Sequence, residues 1–239
     1  MTFEASGSDF KKATVKGSKE EDLSQQLSKQ TDSLPRNERL QKDLEFVNNH
    51  PNSLHAAYLL SVFSSTWGKK KSKELFDNFS ENNKNSDYGK SISKFIELNQ
   101  NPEIGDQYID FEMPDTRGEM KRLSEVEGEL VLLEFWASNC GPCRQENPNL
   151  VNTYNEFKDK GFEIFAVSED IQKEKWLKAI EEDNLPWLQV SDLKRNNTAS
   201  MIYGLNGIPD NFLIDNDGII VGRNLRGEKL NEKLKDILN

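Results

Sequence analysis

The chain has 239 residues, 30% of them charged and 35% hydrophobic, with a formal net charge of −10. That length suits one large domain or two smaller ones, and the composition suits a soluble protein with a modest core and a polar surface. The charge is uneven. Residues 1–100 carry 15 Lys+Arg against 14 Asp+Glu, whereas residues 101–239 carry 16 against 27, an acidic balance that argues against binding to nucleic acid or anionic lipid.

No apolar run approaches the ~20 residues needed to cross a bilayer. The start, Met1-Thr2-Phe3-Glu4-Ala5-Ser6-Gly7, has neither a basic n-region nor an apolar h-region and reads as no signal peptide. The expectation is a cytoplasmic protein or a chain without its leader.

Residues 1–18 are polar, with a frayed strand expected near Ala13–Ser18. Residues 19–100 read as a small domain of four or five helices. Leu23, Leu27 and Leu34 form a sparse stripe, and Leu40, Leu44 and Val47 repeat at helical spacing. Asn52 or Ser53 is positioned to cap a helix with Leu54, Ala57, Tyr58, Leu60, Val62 and Phe63 on its apolar side. Leu75, Phe76 and Phe79 mark another helix, and Ile92, Phe95, Ile96 and Leu98 the last. Between the helix at 54–63 and the one marked by Leu75, the basic run Gly68-Lys69-Lys70-Lys71-Ser72-Lys73 reads as a solvated loop.

Asn101-Pro102 is the expected boundary, because proline disfavours helix at the residue before it. Tyr108–Met113 alternates like a half-buried strand, with Met120–Leu123 as its hairpin partner. Leu130–Trp136 is an apolar run interrupted only by Glu134, as a parallel strand covered on both faces would be. A helix follows from Gly141 to about Lys160, then a strand at 162–167 and a helix at 171–182 with Trp176, Leu177 and Ile180 inward. A short strand at 187–190 and a short helix at 198–203 come next. Residues 211–214 and 219–223 read as a hairpin, and 230–238 as a closing helix. The expected fold is α/β: a βαβ unit and a ββα unit in one sheet flanked by helices, preceded by the helical domain.

The only two cysteines, Cys140 and Cys143, are two residues apart at the switch from strand to helix. A helix N-terminus supplies free N–H groups and a positive dipole end, both of which stabilise a thiolate. The thiolate is the form that attacks disulfides. An inert pair or a zinc half-site is the alternative. His50 and His55 would complete four ligands, but they lie about ninety residues away in the helical region. We expect no metal and no other cofactor. Haem attachment is excluded as a motif, because residue 144 is Arg.

At these residues the chain resembles the thioredoxin superfamily, and most of all the envelope thiol–disulfide oxidoreductases of the TlpA/ResA type. The resemblance rests on Phe135-Trp136-Ala137, on Cys140-Gly141-Pro142-Cys143-Arg144-Gln145-Glu146-Asn147-Pro148, and on Gly207-Ile208-Pro209 followed by Phe212-Leu213-Ile214-Asp215. It spans about residues 102–239. Asn139 departs from thioredoxin, which carries tryptophan there, and this bears on the substrate surface rather than on the chemistry.

The resemblance implies a thiol–disulfide oxidoreductase in the periplasm or cell envelope, acting on oxidised proteins and resupplied with electrons by a redox partner. Cys140 is the expected nucleophile and Cys143 the resolving thiol. Glu134, six residues before Cys140, corresponds to a buried acid that accepts the Cys143 proton; the alternative is a strand register that turns it to solvent. Glu146 shares a helix face with Cys143 and corresponds to a functional acid, or is a surface acid favoured by the helix N-terminus. Pro209 is the expected cis-proline, and Ile208 before it the backbone that pairs with substrate. Trp136 is expected beside the dithiol, limiting solvent access. The Gly-Pro pair between the cysteines, as in thioredoxin, points toward substrate reduction. A thiol peroxidase would need a Pro-x-x-x-Thr-x-x-Cys pattern, and Leu133, seven residues before Cys140, stands at its proline position. A binding or chaperone module with an incidental dithiol is the remaining rival.

Overall fold

The structure is a computed structural model that describes residues 2–4 and 14–238. The chain divides into two compact units, Met1–Glu97 and Leu98–Asn239. In the first, Thr2–Glu4 (β1) and Thr14–Lys16 (β2) pair antiparallel. Most of the remaining polar segment expected before residue 19, including residues 5–13, lies outside the described residues.

Helices α1 (Lys19–Thr31), α2 (Arg36–Asn49), α3 (Leu54–Asp77), α4 (Glu81–Asn85) and α5 (Asp87–Leu98) follow. Helix α3 is broken at Gly68, whose φ of 79° lies in the left-handed region that only glycine enters freely. The basic run after this break is helical rather than a loop, because no breaker follows Gly68 and the lysines gain pairs one turn on. Lys71 meets Glu74 at 3.2 Å and Lys73 meets Asp77 at 2.6 Å. Ser53 precedes α3 without capping it; its hydroxyl donates instead to Glu20 at 2.7 Å. Leu54, Tyr58 and Val62 are exposed, so the buried side of α3 is narrower than expected. Ala56, Ala57 and Leu60 pack with Leu27, Val47, Leu75 and Ile92.

In the second unit, β3 (Glu112–Pro114) and β4 (Met120–Arg122) form an antiparallel hairpin. The strand expected from Tyr108 starts only at Glu112, because a side chain takes the backbone groups of Ile109. The Tyr203 hydroxyl accepts from the Ile109 N–H at 3.2 Å and donates to its carbonyl at 2.8 Å.

Strands β5 (Leu130–Trp136), β6 (Phe162–Ser168), β7 (Leu188–Val190), β8 (Asp210–Asp215) and β9 (Ile220–Arg223) form one sheet in the order β7-β6-β5-β8-β9. β6 runs parallel to β5 and β7; β8 runs antiparallel to β5 and β9. Helix α6 (Gly141–Phe157) connects β5 to β6, and α7 (Lys173–Asp183) connects β6 to β7. Helix α8 (Thr198–Tyr203) precedes β8, and α9 (Glu228–Leu238) closes the chain. The result is the mixed α/β thioredoxin-type sheet expected, with helices on both faces.

β5 is the centre, and alternation along it assigns side chains to the two faces. Leu130, Leu132 and Trp136 pack with Leu150 and Phe157 of α6, Trp176 of α7 and Leu230 and Leu234 of α9. Val131, Leu133 and Phe135 pack on the other side with Met113, Ile202 and Tyr203. Leu177 was expected inward but is 37% exposed, since Trp176 and Ala179 occupy the inward positions of α7. The Tyr203 hydroxyl bridges α8 to the segment before β3, so Tyr203→Phe is expected to cost about 1 kcal/mol of stability, measurable by urea denaturation.

Candidate active site

The chain leaves β5 at Trp136, turns through Ala137-Ser138-Asn139 and enters α6 with Cys140 as the N-cap residue. Pro142 falls in the first turn, where a missing N–H costs no helical bond. The Cys143 N–H donates to Cys140 Sγ at 3.2 Å. A disulfide joins the two cysteines. They differ in access: Cys140 is 8% exposed and Cys143 1%. Helix α6 continues through Pro148, which lies inside it.

The turn before Cys140 is held from two sides. Asp170, just past the end of β6, accepts from the Ser138 N–H at 2.8 Å and from its hydroxyl at 2.5 Å. The Ser168 hydroxyl donates to the same carboxylate at 2.8 Å. From α6, Arg144 Nη1 donates to the Ser138 carbonyl at 3.1 Å. Arg144 is itself fixed to Asp183 at 2.8 Å and Glu182 at 2.9 Å. Asp170, Asp183 and Arg144 received no role from the sequence. The acid following the strand at 162–168 was the available signal, but its target is set by the β5–β6 register, which pairs Trp136 with Ser168.

Trp136 is buried in the same cluster as both cysteines, and its Nε1 donates to Gln189 Oε1 at 3.0 Å. The Ile208–Pro209 peptide bond is cis, as the resemblance implied. Ile208 is partly buried and packs against the clusters on both sheet faces. The Pro209 carbonyl accepts a hydrogen bond from Arg226 Nη2.

Glu134 is 4% exposed, so the strand register does not turn it to solvent. Alternation places it between Leu132 and Trp136 on the face that carries the cysteines. Its cross-strand partners are Ala166 on β6 and Asn211 on β8. Burial pushes its carboxyl up from 4.5 to about 8. A hydrogen bond from Asn211 and the charge of Arg226 oppose that rise, while Glu146 and Asp210 add to it. Glu146 is half-buried on α6 and accepts from Asn149 Nδ2 and from the Gly227 N–H, both at 2.8 Å. The structure thus gathers the cysteines, Glu134 and Trp136 on one face of β5, with Glu146 near enough to act on Glu134.

The sequence profile of the AhpC/TSA family matches residues 104–223. The chain belongs to the AhpC/TSA family. The chain is 30% identical over 136 residues to the thiol-disulfide oxidoreductase ResA of Bacillus thuringiensis subsp. konkukian, covering 57% of this chain and 77% of that one. It is 33% identical over 117 residues to ResA of Halalkalibacterium halodurans, covering 49% and 65%. Among solved structures it is similar to the thioredoxin domain of a thiol-disulfide oxidoreductase from Bacteroides vulgatus. There the identity is 37%, the TM-score 0.53, and the coverage 58% of this chain and 99% of that one. A thiol-disulfide oxidoreductase from Bacteroides fragilis matches at 34% identity and a TM-score of 0.51, covering 56% and 100%. This member of the AhpC/TSA family is a TlpA/ResA-like protein of the thioredoxin superfamily and a thiol–disulfide oxidoreductase.

The raised Glu134 carboxyl has a consequence for stability. Between about pH 4.5 and pH 8 the folded chain keeps a proton that the unfolded chain has lost, so rising pH favours unfolding across that window. Wild-type stability is expected to fall from about pH 5 to about pH 8 through this group, and Glu134→Gln to remove that component. Urea denaturation of the oxidised protein at a series of pH values checks it.

Proposed function

We propose that the enzyme reduces disulfides in protein substrates, with Cys140 attacking, Cys143 resolving and Glu134 accepting a proton. The observation that carries this reading is the asymmetry of the pair. Cys140 stands at a helix N-cap with some surface exposed and an N–H group on its sulfur, whereas Cys143 is sealed one turn in. Such a setting favours a thiolate at Cys140 and keeps Cys143 for an intramolecular step.

In the first step the Cys140 thiolate bonds to one sulfur of the substrate disulfide, and the other leaves as a thiolate. In the second, Cys143 gives its proton to the Glu134 carboxylate and its sulfur attacks Cys140. The bond between Cys140 and the substrate breaks, and the second substrate sulfur leaves. Two electrons pass from the dithiol to the substrate, ending in the Cys140–Cys143 disulfide. Near pH 8 the Glu134 carboxyl is divided between its two forms, which suits it to take up and release that proton.

The reducing direction is supported by the Gly141-Pro142 pair shared with thioredoxin. A redox partner must restore the dithiol. Protein substrates are supported by the Ile208–Pro209 loop, whose backbone can pair with an extended chain. An open depression of about 340 Å³ beside Ser138 and Asn139, lined by Ile171, Gln172, Lys175 and Arg195, offers room for residues flanking the substrate cysteine. Trp136 shields the dithiol. Glu146 acts at one remove, through its effect on Glu134 and its bond to Gly227. The proposed compartment is the periplasm or cell envelope, as the TlpA/ResA resemblance implies. The helical part before residue 101 is proposed as a separate domain.

The test uses insulin as the oxidised substrate. Cys143→Ser should accumulate a mixed disulfide through Cys140, visible by mass spectrometry, and Cys140→Ser should abolish reduction. Glu134→Gln should slow release from the mixed disulfide by about 10²-fold. Activity retained by Cys140→Ser would sink the reading. A strongly oxidising potential for the pair, measured against glutathione, would reverse its direction.

A further inference from the structure

We infer that Arg226 is a positioning residue that joins the Pro209 loop to the buried acid: one guanidinium nitrogen holds the Pro209 carbonyl while the cation faces Glu134. The inference rests on the reading of Glu134 as the proton acceptor. Arg226 lies in the connector 224–227 between β9 and α9. This short segment is fixed at each residue. The Asn224 N–H donates to the Asn211 carbonyl at 2.9 Å. Leu225 exchanges two hydrogen bonds with the Asn211 side chain, its N–H donating at 2.9 Å and its carbonyl accepting at 2.8 Å. The Gly227 N–H donates to Glu146 at 2.8 Å. Asn211 is the residue opposite Glu134 across the β5–β8 ladder. The connector therefore touches the strand partner of the acid, the cis-proline carbonyl and the acid on α6, with Arg226 among them.

Two unused atoms point to what the guanidinium does beyond anchoring a carbonyl. Glu134 Oε2 and Arg226 Nε are both buried, and neither has a hydrogen-bond partner among the described residues. A buried carboxylate is costly without a compensating group, and a cation close by lowers that cost. The groups that act on Glu134 come from three elements. Asn211 and Asp210 belong to β8, Glu146 to α6, and Arg226 to the connector, with the dithiol on the same side of the sheet. Two of these are acids that disfavour the carboxylate; Arg226 is the cation that favours it. A mere anchor for the Pro209 carbonyl needs only an N–H donor, which glutamine also carries. The charge is the part that glutamine lacks.

The experiment follows the Glu134 side-chain carboxyl by carbon-13 NMR in oxidised, glutamate-labelled protein, the resonance being identified by its loss in Glu134→Gln. Arg226→Gln should move the titration midpoint upward by about one pH unit, a tenfold rise in proton affinity. Arg226→Lys should return most of that shift. An unmoved midpoint in Arg226→Gln overturns the inference. Should Arg226→Gln fail to fold, the wild-type Arg226 Nε–H cross-peak decides: it should shift with the Glu134 midpoint and stop doing so in Glu134→Gln. A pH-invariant cross-peak overturns the inference. The rate of release from the insulin mixed disulfide is measured alongside. If Glu134→Gln leaves that rate unchanged, the proton-acceptor role fails, while the midpoint still decides whether Arg226 governs the charge.

Discussion

A carboxyl group placed midway along a strand covered on both faces loses its water and must be held by the protein around it. Glu134 is in that position, and much of the second unit is arranged about it. β8 runs antiparallel beside it and brings Asn211 opposite. Asn211 then pins the connector after β9 rather than serving the sheet alone. The cost of burying the acid is reflected in its raised proton affinity. The structure offsets that cost in part, with one amide and one guanidinium, and leaves the group able to exist in either form.

The architecture was legible because its signals are local. Leu130–Trp136 is apolar at every position but Glu134, a pattern that suits a strand covered on both sides. The Cys-x-x-Cys at its end and the hairpin turn at 215–218 each announce themselves over a few residues, and Gly207-Ile208-Pro209 is recognised by resemblance. The elements that were misjudged lack such signals. Tyr108–Phe111 alternates like a strand, yet Tyr203, some ninety residues later, claims the Ile109 backbone. The lysine run after Gly68 looks like a loop by composition, whereas its carboxylate partners lie one turn along a helix.

The same distinction separates the residues of the candidate site. Cys140, Cys143, Glu134 and Pro209 are visible by their spacing or by resemblance. Asp170 and Arg226 are not, since each acts on a residue distant in sequence. Asp170 reaches Ser138 only because β6 lies parallel to β5 in one register, and Arg226 reaches Pro209 only because the chain doubles back after β9. Parallel pairing and a return connector are long-range facts, and no single window of sequence contains them.

The unequal burial of the two sulfurs has a kinetic meaning. If Cys140 is the atom that meets the outside, then the oxidised substrate and the partner that restores the dithiol must both use it. Neither can react while the other is attached. Electrons would then enter and leave through one sulfur in alternation, a ping-pong scheme with no ternary complex. Selection acting on the surface around Cys140 would have to satisfy two partners in turn, and an improvement in fit for one would be limited by what the other requires.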